Sequence, residues 1–495
     1  MNIARRAFLG ALWTGGANYL SQAVGMLSVA VLGRLLVEGH FGYVATANSI
    51  VQFIFILSAF SFNISVIQAV EEKPRFYSTA FVLTLALGVA SLLMTLLLGV
   101  GTSLLSGVSL FGMAPFRPLS ALEMSIIAAL AVVNALNLAG QHFDAILQRN
   151  LEFKKISIIA FSMNIANPVV AVGSALLGAG LWSLVLGQLA ASILFLAGSW
   201  KSSGWRVSMA FSGDTARWFM KMGGRYLGSR ALEVVYTELD RIVIKRVTGV
   251  YDQVGLYERA NLASKYPMKI VSPVISNVAL PVYAKLKTNT EQLSDAYTML
   301  TFFLIRIMTV AGLVFLLVPE AFITALLGAR WISAAEVLRA LAIFAVLYPV
   351  VENLKVLFYA LGRPETVSVM RIAQIIVYVP LLLVLVTAYG IIGAAYALLA
   401  SLIVAYAVLL LRLRGVVAFS LFRTAVLPVV FAVATYAAFS LLPVPRFENP
   451  FADLAFSGTV IFILYAGCEY LFERKSIVQH IRFIRHAVRG DTHNA

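Results

Sequence analysis

The sequence has little of what a cross-linked secreted domain or a soluble enzyme needs. A single cysteine, Cys468, excludes an intramolecular disulfide framework and a cysteine-based metal cluster. Five scattered histidines give no helical HExxH pair, and neither a nucleophile elbow nor a phosphate-cradling GxxxxGKS segment occurs. No metal and no cofactor are therefore expected, and no enzymatic step. Charge is scarce at 12% of residues, against about 25% in soluble domains. Long polar segments are missing as well: the largest loops, around 100–118 and 201–216, are too short to fold as domains. A glycan polymerase or ligase would need a sizeable exterior loop for its acid or base, and this chain has none.

What is there is oil. Hydrophobic residues make up 60% of the chain and the mean hydropathy is +0.89, so the expected fold class is an all-α polytopic membrane protein. The net charge of +15 does not point to nucleic acid, because Lys and Arg gather at the ends of apolar runs, as topogenic charge does. The start, MNIARRAFLG, reads as a retained first helix, since its apolar run continues to Leu36 without a cleavage site.

Stretches near the ~20 residues that span a bilayer predict about fourteen helices: 9–36, 41–69, 77–106, 119–148, 154–177, 179–200, 217–247, 254–284, 293–318, 334–361, 365–388, 391–412, 422–442 and 451–473. With a cytoplasmic N-terminus the inside loops collect most of the Lys and Arg, which supports both termini in the cytoplasm and an even helix count. Laid over each other at a shift of about 213 residues, the halves echo one another. Gly33 to Leu36 followed by Phe41-Gly42-Tyr43 matches Lys245 to Val247 followed by Val254-Gly255-Leu256-Tyr257. Ile146 to Arg149 matches Ala360 to Arg363, and Gly178 to Ser183 matches Gly390 to Ala397. The expected organisation is an N-terminal lobe of six helices (1–200), a linker (201–216), a C-terminal lobe of six (217–414), two added helices (415–474) and a basic tail (475–495). An even-helix repeat keeps its orientation, so the lobes are expected to relate by a pseudo-two-fold along the membrane normal, with substrate between them.

Ionisable residues concentrate on the seventh and eighth spans: Arg230, Glu233, Glu238, Asp240, Arg241, Lys245, Arg259, Lys265 and Lys269. A charge facing hydrocarbon costs about 2.5 kcal/mol or more, so such residues mark pathways or partners. On the eighth span Glu258, Asn261, Lys265, Lys269, Ser272 and Ser276 form one stripe at helical spacing. Lys265 and Lys269 have no carboxylate at i+3 or i+4, which favours a cavity role. The fourth span aligns Asn134, Asn137, Gln141, Asp144 and Gln148; the first aligns Thr14, Asn18, Ser21, Gln22 and Gly25; the eleventh aligns Arg371, Gln374 and Tyr378. Such amide stripes also serve as interhelical hydrogen bonds worth about 0.6–2 kcal/mol. Arg34, Lys245 and Arg246 lie where snorkelling accounts for them. Arg230 with Glu233, and Arg241 with Glu238, are spaced to neutralise one another, and Arg306 stands alone on its helix. Pro267, Pro273 and Pro281 predict bends in the eighth span.

The block Leu239-Asp240-Arg241-Ile242-Val243-Ile244, then Val254 to Ala260, then Val278-Ala279-Leu280-Pro281-Val282-Tyr283, resembles bacterial polysaccharide transporters of the Wzx and WzxC type. These belong to the superfamily of multidrug, oligosaccharidyl-lipid and polysaccharide exporters. The resemblance implies a two-lobed fold with a cationic lumen that flips an undecaprenyl-diphosphate-linked oligosaccharide between the leaflets of a bacterial inner membrane. Its partners would be that lipid-linked oligosaccharide, membrane lipids, a glycan polymerase and a chain-length regulator, with no nucleic acid. On this reading Arg230, Arg241, Arg259, Lys265 and Lys269 bind the anionic headgroup. Glu233 and Asp240 either hold the basic groups or take up a coupling cation, with Asn18, Asn137 and Gln141 in support, and Tyr43, Tyr226, Tyr257, Tyr266 and Tyr378 offer rings to sugar faces. Three alternatives stand beside it: a lipid II flippase, whose run of arginines on the first two helices is not evident here; a cation-coupled drug exporter, whose first-helix carboxylate is missing before Glu38; and a non-transporting scaffold of a glycan-synthesis complex.

Overall fold

The computed structural model describes residues 20–56, 62–69, 75–104, 118–417 and 426–489, and among them there are helices and no strand. Two compact units emerge: Met1–Glu258 with Leu326–Gly328 and Leu382–Ala394, and Arg259–Ala325 with Ala329–Leu381 and Ala395–Ala495.

In the first unit the helices are α1 (Leu20–Leu35), α2 (Glu38–Ile54), α3 (Phe62–Gln68), α4 (Phe76–Leu104), α5 (Ala121–Arg149), α6 (Phe153–Leu176), α7 (Trp182–Ser203) and α8 (Gly213–Thr248). Their ends follow local chemistry. Ser120 and Glu123 close a capping box at the start of α5, with Ser120 Oγ accepting from the Glu123 amide at 3.2 Å and Glu123 Oε2 accepting from the Ser120 amide at 2.7 Å. α4, α5, α6 and α7 pack as successive neighbours, while α8 packs along α2, α3 and α4. The apolar outward face of α4, with Val89, Leu93, Leu96, Leu97 and Val100 exposed, suits hydrocarbon rather than water as solvent.

α9 (Tyr251–Ser264) opens the eighth predicted span and crosses from the first unit into the second. It breaks at Lys265, continues as α10 (Tyr266–Val274), loosens into a π turn at Ile275–Ala279 and resumes as α11 (Leu280–Leu286). Pro267 and Pro281 each stand in the first turn of a resumed segment, where proline removes no helical hydrogen bond. Interruptions fall at two of the three prolines for which bends were expected, Pro267 and Pro281, while Pro273 lies inside α10; the break at Lys265 divides the polar stripe.

The second unit continues with α12 (Thr290–Leu317), α13 (Pro319–Leu327), α14 (Ala334–Ala340), α15 (Ala342–Ala360), α16 (Pro364–Leu413), α17 (Leu427–Leu441) and α18 (Pro450–Arg489). α16 covers 50 residues, enough at about 1.5 Å per residue for two helices that each span a bilayer core of about 30 Å rather than for one. Gly390, at φ 59° and ψ −137°, interrupts it. The boundary expected between the spans 365–388 and 391–412 falls at that residue. Among the described residues eight helices are long and apolar enough to cross a membrane, which establishes the polytopic class. Six fewer meet that requirement than the fourteen expected: the eleventh and twelfth spans run together in α16, α8 is heavily charged, α1, α2, α9 and α17 are each shorter than a full span, and the first and second spans lie partly outside the described residues.

α17 and α18 pack on α12 around Leu313, Val318, Phe431, Phe439, Ile461 and Tyr465. Buried within this group, Arg306 of α12 meets Glu469 at 3.0 Å and also pairs with Glu473, both from α18. The residue that looked solitary in the sequence therefore ties the last helix to the bundle. Removing the only cation of such a trio leaves carboxylates buried without compensation, which costs about 3–5 kcal/mol. Arg306→Ala is expected to lower the thermal unfolding midpoint of the detergent-purified protein, whereas an unchanged midpoint would show that the trio does not secure α18.

Candidate functional site

Three groups of polar residues gather the predicted site residues, the first of them between α8 and α9. Arg241 is caged by carboxylates: its Nε donates to Glu258 Oε2 at 2.6 Å, its Nη1 donates to Glu238 Oε2 at 2.8 Å, and Asp240 Oδ1 lies 3.8 Å away. Asp240 in turn accepts from the Tyr257 hydroxyl at 2.8 Å, and Glu238 accepts from Ser49 Oγ at 2.7 Å. The expected pairing of Glu238 with Arg241 is present. Glu258, assigned in the sequence to the cavity stripe, is the added partner. Its separation of seventeen residues lies beyond any local helical pairing rule.

The second group surrounds a cavity of about 290 Å³ in the first unit. Asn134, Asn137 and Gln141 of α5 line it, as does Arg230 of α8, while Asp144 and Gln148 of the same stripe do not. Sequence reasoning missed Gln52, Asn63 and His142, which also line it, because each sits singly in an apolar run without a stripe of its own. Arg230 is exposed and has no ion pair among the described residues, and no bond joins it to Glu233. Glu233 accepts from Thr237 through its backbone carbonyl at 2.9 Å.

The third group follows the break at Lys265. Lys269 is exposed, lies 5.0 Å from the Tyr266 ring centre and has no ion pair among the described residues. Arg259 is within electrostatic reach of it. Lys265 lies 5.9 Å from the Phe344 ring centre. Asn261, further up the stripe, is buried, while Asn18 lies outside the described residues. Of the tyrosines, Tyr257 and Tyr378 are completely buried, Tyr226 donates to Gln68 at 2.6 Å and Tyr43 stacks on Tyr251 at 3.6 Å. Lys245 lies 3.9 Å over the Tyr251 ring and donates to the Gly249 carbonyl at 2.7 Å.

That Tyr43–Tyr251 stack sits where the first turns of α2 and α9 cross. A Cβ on Gly42 would collide with the Tyr251 carbonyl oxygen, and one on Gly255 would collide with the Glu38 carbonyl oxygen. Both pairs of corresponding residues, Glu38 with Tyr251 and Gly42 with Gly255, are 213 apart, the shift of the sequence repeat. The echo is therefore a reciprocal contact: each repeat presents a glycine to the other's backbone, and only glycine allows that approach.

The family model for polysaccharide biosynthesis proteins matches residues 31–336. The chain belongs to that family. Among its relatives, the lipopolysaccharide biosynthesis protein WzxC of Escherichia coli is 25% identical over 389 residues, 78% of this chain and 76% of the relative. The teichuronic acid biosynthesis protein TuaB of Bacillus subtilis is 25% identical over 370 residues, 74% of this chain and 73% of the relative. The succinoglycan biosynthesis transport protein ExoT of Rhizobium meliloti is 26% identical over 320 residues, 64% of this chain and 62% of the relative. In fold, this family member is similar to the lipid II flippase MurJ, with a TM-score of 0.71 at 15% identity, covering 94% of this chain and 100% of that one. It is also similar to an inward-facing transporter of the multidrug MATE family, with a TM-score of 0.56 at 15% identity, covering 82% of this chain and 98% of that one. The fold is that of membrane transporters.

The glycine crossing yields a direct test. With Cys468→Ser as background, cysteines at Gly39 and Asp252 should cross-link readily, since a Cβ on Gly39 would meet the Asp252 carboxylate. Adding Gly255→Val should slow the reaction roughly tenfold, the effect of about 1.4 kcal/mol on the closed crossing. Equal rates would mean that the close approach is not maintained.

Proposed function

We propose that this chain is a flippase that moves a polyprenyl-diphosphate-linked oligosaccharide from the cytoplasmic to the outer leaflet of a bacterial inner membrane, with both termini in the cytoplasm. The supporting observation is the state of Arg230 and Lys269, exposed cations with no ion pair among the described residues of a strongly apolar chain. A charge in that setting calls for water or an anionic ligand. The names of the relatives, which refer to lipopolysaccharide biosynthesis, teichuronic acid biosynthesis and succinoglycan biosynthesis transport, agree with a glycan cargo.

On this reading Arg230, Arg259, Lys265 and Lys269 supply the positive field for a diphosphate and its sugars. Arg241, already met by three carboxylates, anchors α8 to α9 beside the substrate path, with Asp240 holding it through Tyr257. Glu233 and Asn18 remain supporting groups, and Asn137 and Gln141 face the cargo from α5. The step is transport without covalent chemistry. The loop assignment places the Gly42–Gly255 crossing on the outer side, so parting it opens the path outward and re-forming it closes that side. A polymerase and a chain-length regulator would take the cargo afterwards.

Deleting the gene in its native host should abolish the surface glycan and accumulate lipid-linked repeat units on the cytoplasmic side. The wild-type gene should restore export, and the Lys265→Ala/Lys269→Ala double variant should restore it at least about tenfold less well, as expected when charge-assisted contacts are lost. Normal surface glycan in the deletion strain would overturn the flippase reading. Full export by the double variant would overturn the cationic site alone.

A further inference from the structure

The cavity in the first unit is built from amides more than from charge. Five carboxamides line it, from Gln52, Asn63, Asn134, Asn137 and Gln141, together with a single cation, Arg230. Each carboxamide offers two donors and an acceptor, and little of that capacity is used within the protein. Gln52 reaches Asn134 only at 3.5 Å and Asn63 reaches Gln141 only at 3.4 Å. Asn134 donates to the Leu130 carbonyl at 3.0 Å, and Asn137 has no hydrogen-bond partner among the described residues. His142, 2% exposed, brings a buried Nε2 without a partner to the same lining. Phe55 and Phe62 supply apolar wall.

This inventory selects among ligand classes. A diphosphate is an acceptor with several negative charges and would leave the amide carbonyls without donors, while meeting only one cation. A cationic drug would find Arg230 and no carboxylate in the lining. A sugar ring both donates and accepts through its hydroxyls, presents apolar C–H faces to aromatic rings, and needs one guanidinium only if it carries one acidic substituent. The volume, about 290 Å³, is at the small end of the range for ligand pockets and fits a single sugar residue rather than a repeat unit.

We propose that this cavity is a saccharide subsite that holds one sugar residue of the cargo, its hydroxyls on the amides of Asn137 and Gln141 and a carboxylate substituent on Arg230. The inference rests on the reading that the cargo carries a glycan, and it assigns the diphosphate elsewhere, to Arg259, Lys265 and Lys269.

The test uses the full-length protein in lipid nanodiscs with separate probes: saturation-transfer NMR for methyl β-glucuronide and methyl β-glucoside, and phosphorus line-broadening for inorganic pyrophosphate. Both sugars should give signals, the glucuronide the stronger. Arg230→Gln should bring the glucuronide down to the level of the glucoside. Asn137→Ala and Gln141→Ala should each weaken both sugars by roughly fivefold, as for the loss of one hydrogen bond. Pyrophosphate broadening should persist in all three variants, which also shows that they are folded. Absence of a sugar signal on the wild-type protein, sugar signals indifferent to Asn137→Ala and Gln141→Ala, or displacement of glucuronide by pyrophosphate together with loss of its broadening in Arg230→Gln would each overturn the subsite. Loss of the subsite with export still dependent on the gene leaves the flippase reading intact. Amide-dependent sugar binding in a chain that the host does not need for export would sink the flippase reading and leave the subsite.

Discussion

A charged side chain inside a bilayer must find a counter-charge, water or a ligand, and this constraint sorts the ionisable residues of the chain. Arg241 is answered by Glu238, Asp240 and Glu258, Arg306 by Glu469 and Glu473, and Lys355 by Glu352 at 2.9 Å. These groups act as fasteners: one joins α8 to α9, another holds α18 against α12. Arg230 and Lys269 have no such answer among the described residues. They are exposed, and each lies beside groups suited to a ligand, amides around Arg230 and an aromatic ring beside Lys269. The same number of charges on a soluble protein would carry no such information, because water would screen them all.

The class, the helical architecture and the family were legible in the sequence because they depend on properties that add up along the chain: hydropathy, span length and a repeat. The break at Gly390 was legible too, since a glycine between apolar runs has few other uses. Pairings between distant helices were not. Nothing local to Arg306 announces Glu469 and Glu473, more than 160 residues away, and nothing local to Arg241 announces Glu258. Periodicity ranks faces within one helix but cannot say which face of another helix it meets. It grouped Glu258 with Lys265 and Lys269, which the break at Lys265 sets apart. It did find the α5 amides, whose spacing survives in a continuous helix, and it missed Gln52, Asn63 and His142, which become neighbours only through packing.

The glycine crossing joins these two levels. A repeat read as weak sequence similarity turns out to be a contact of each copy with the other, Gly42 on the Tyr251 carbonyl and Gly255 on that of Glu38. A contact made from backbone and two missing side chains is close but holds few atoms, as the outer closure proposed for this crossing requires. Glu123 adds a side-chain tie there, accepting from the Tyr251 hydroxyl, and the stacked Tyr43 shields it.

The central claim is that this protein carries a lipid-linked saccharide across a bilayer, and reconstitution tests it most directly. Purified protein would be placed in liposomes containing a fluorescent polyprenyl-diphosphate-linked saccharide, and the headgroup's accessibility to a membrane-impermeant glycosidase followed over time. The account predicts that saccharide initially protected in the inner leaflet becomes cleavable in the presence of the protein and stays protected in its absence. Equal protection in both preparations, with the protein shown to be folded and inserted, would contradict it.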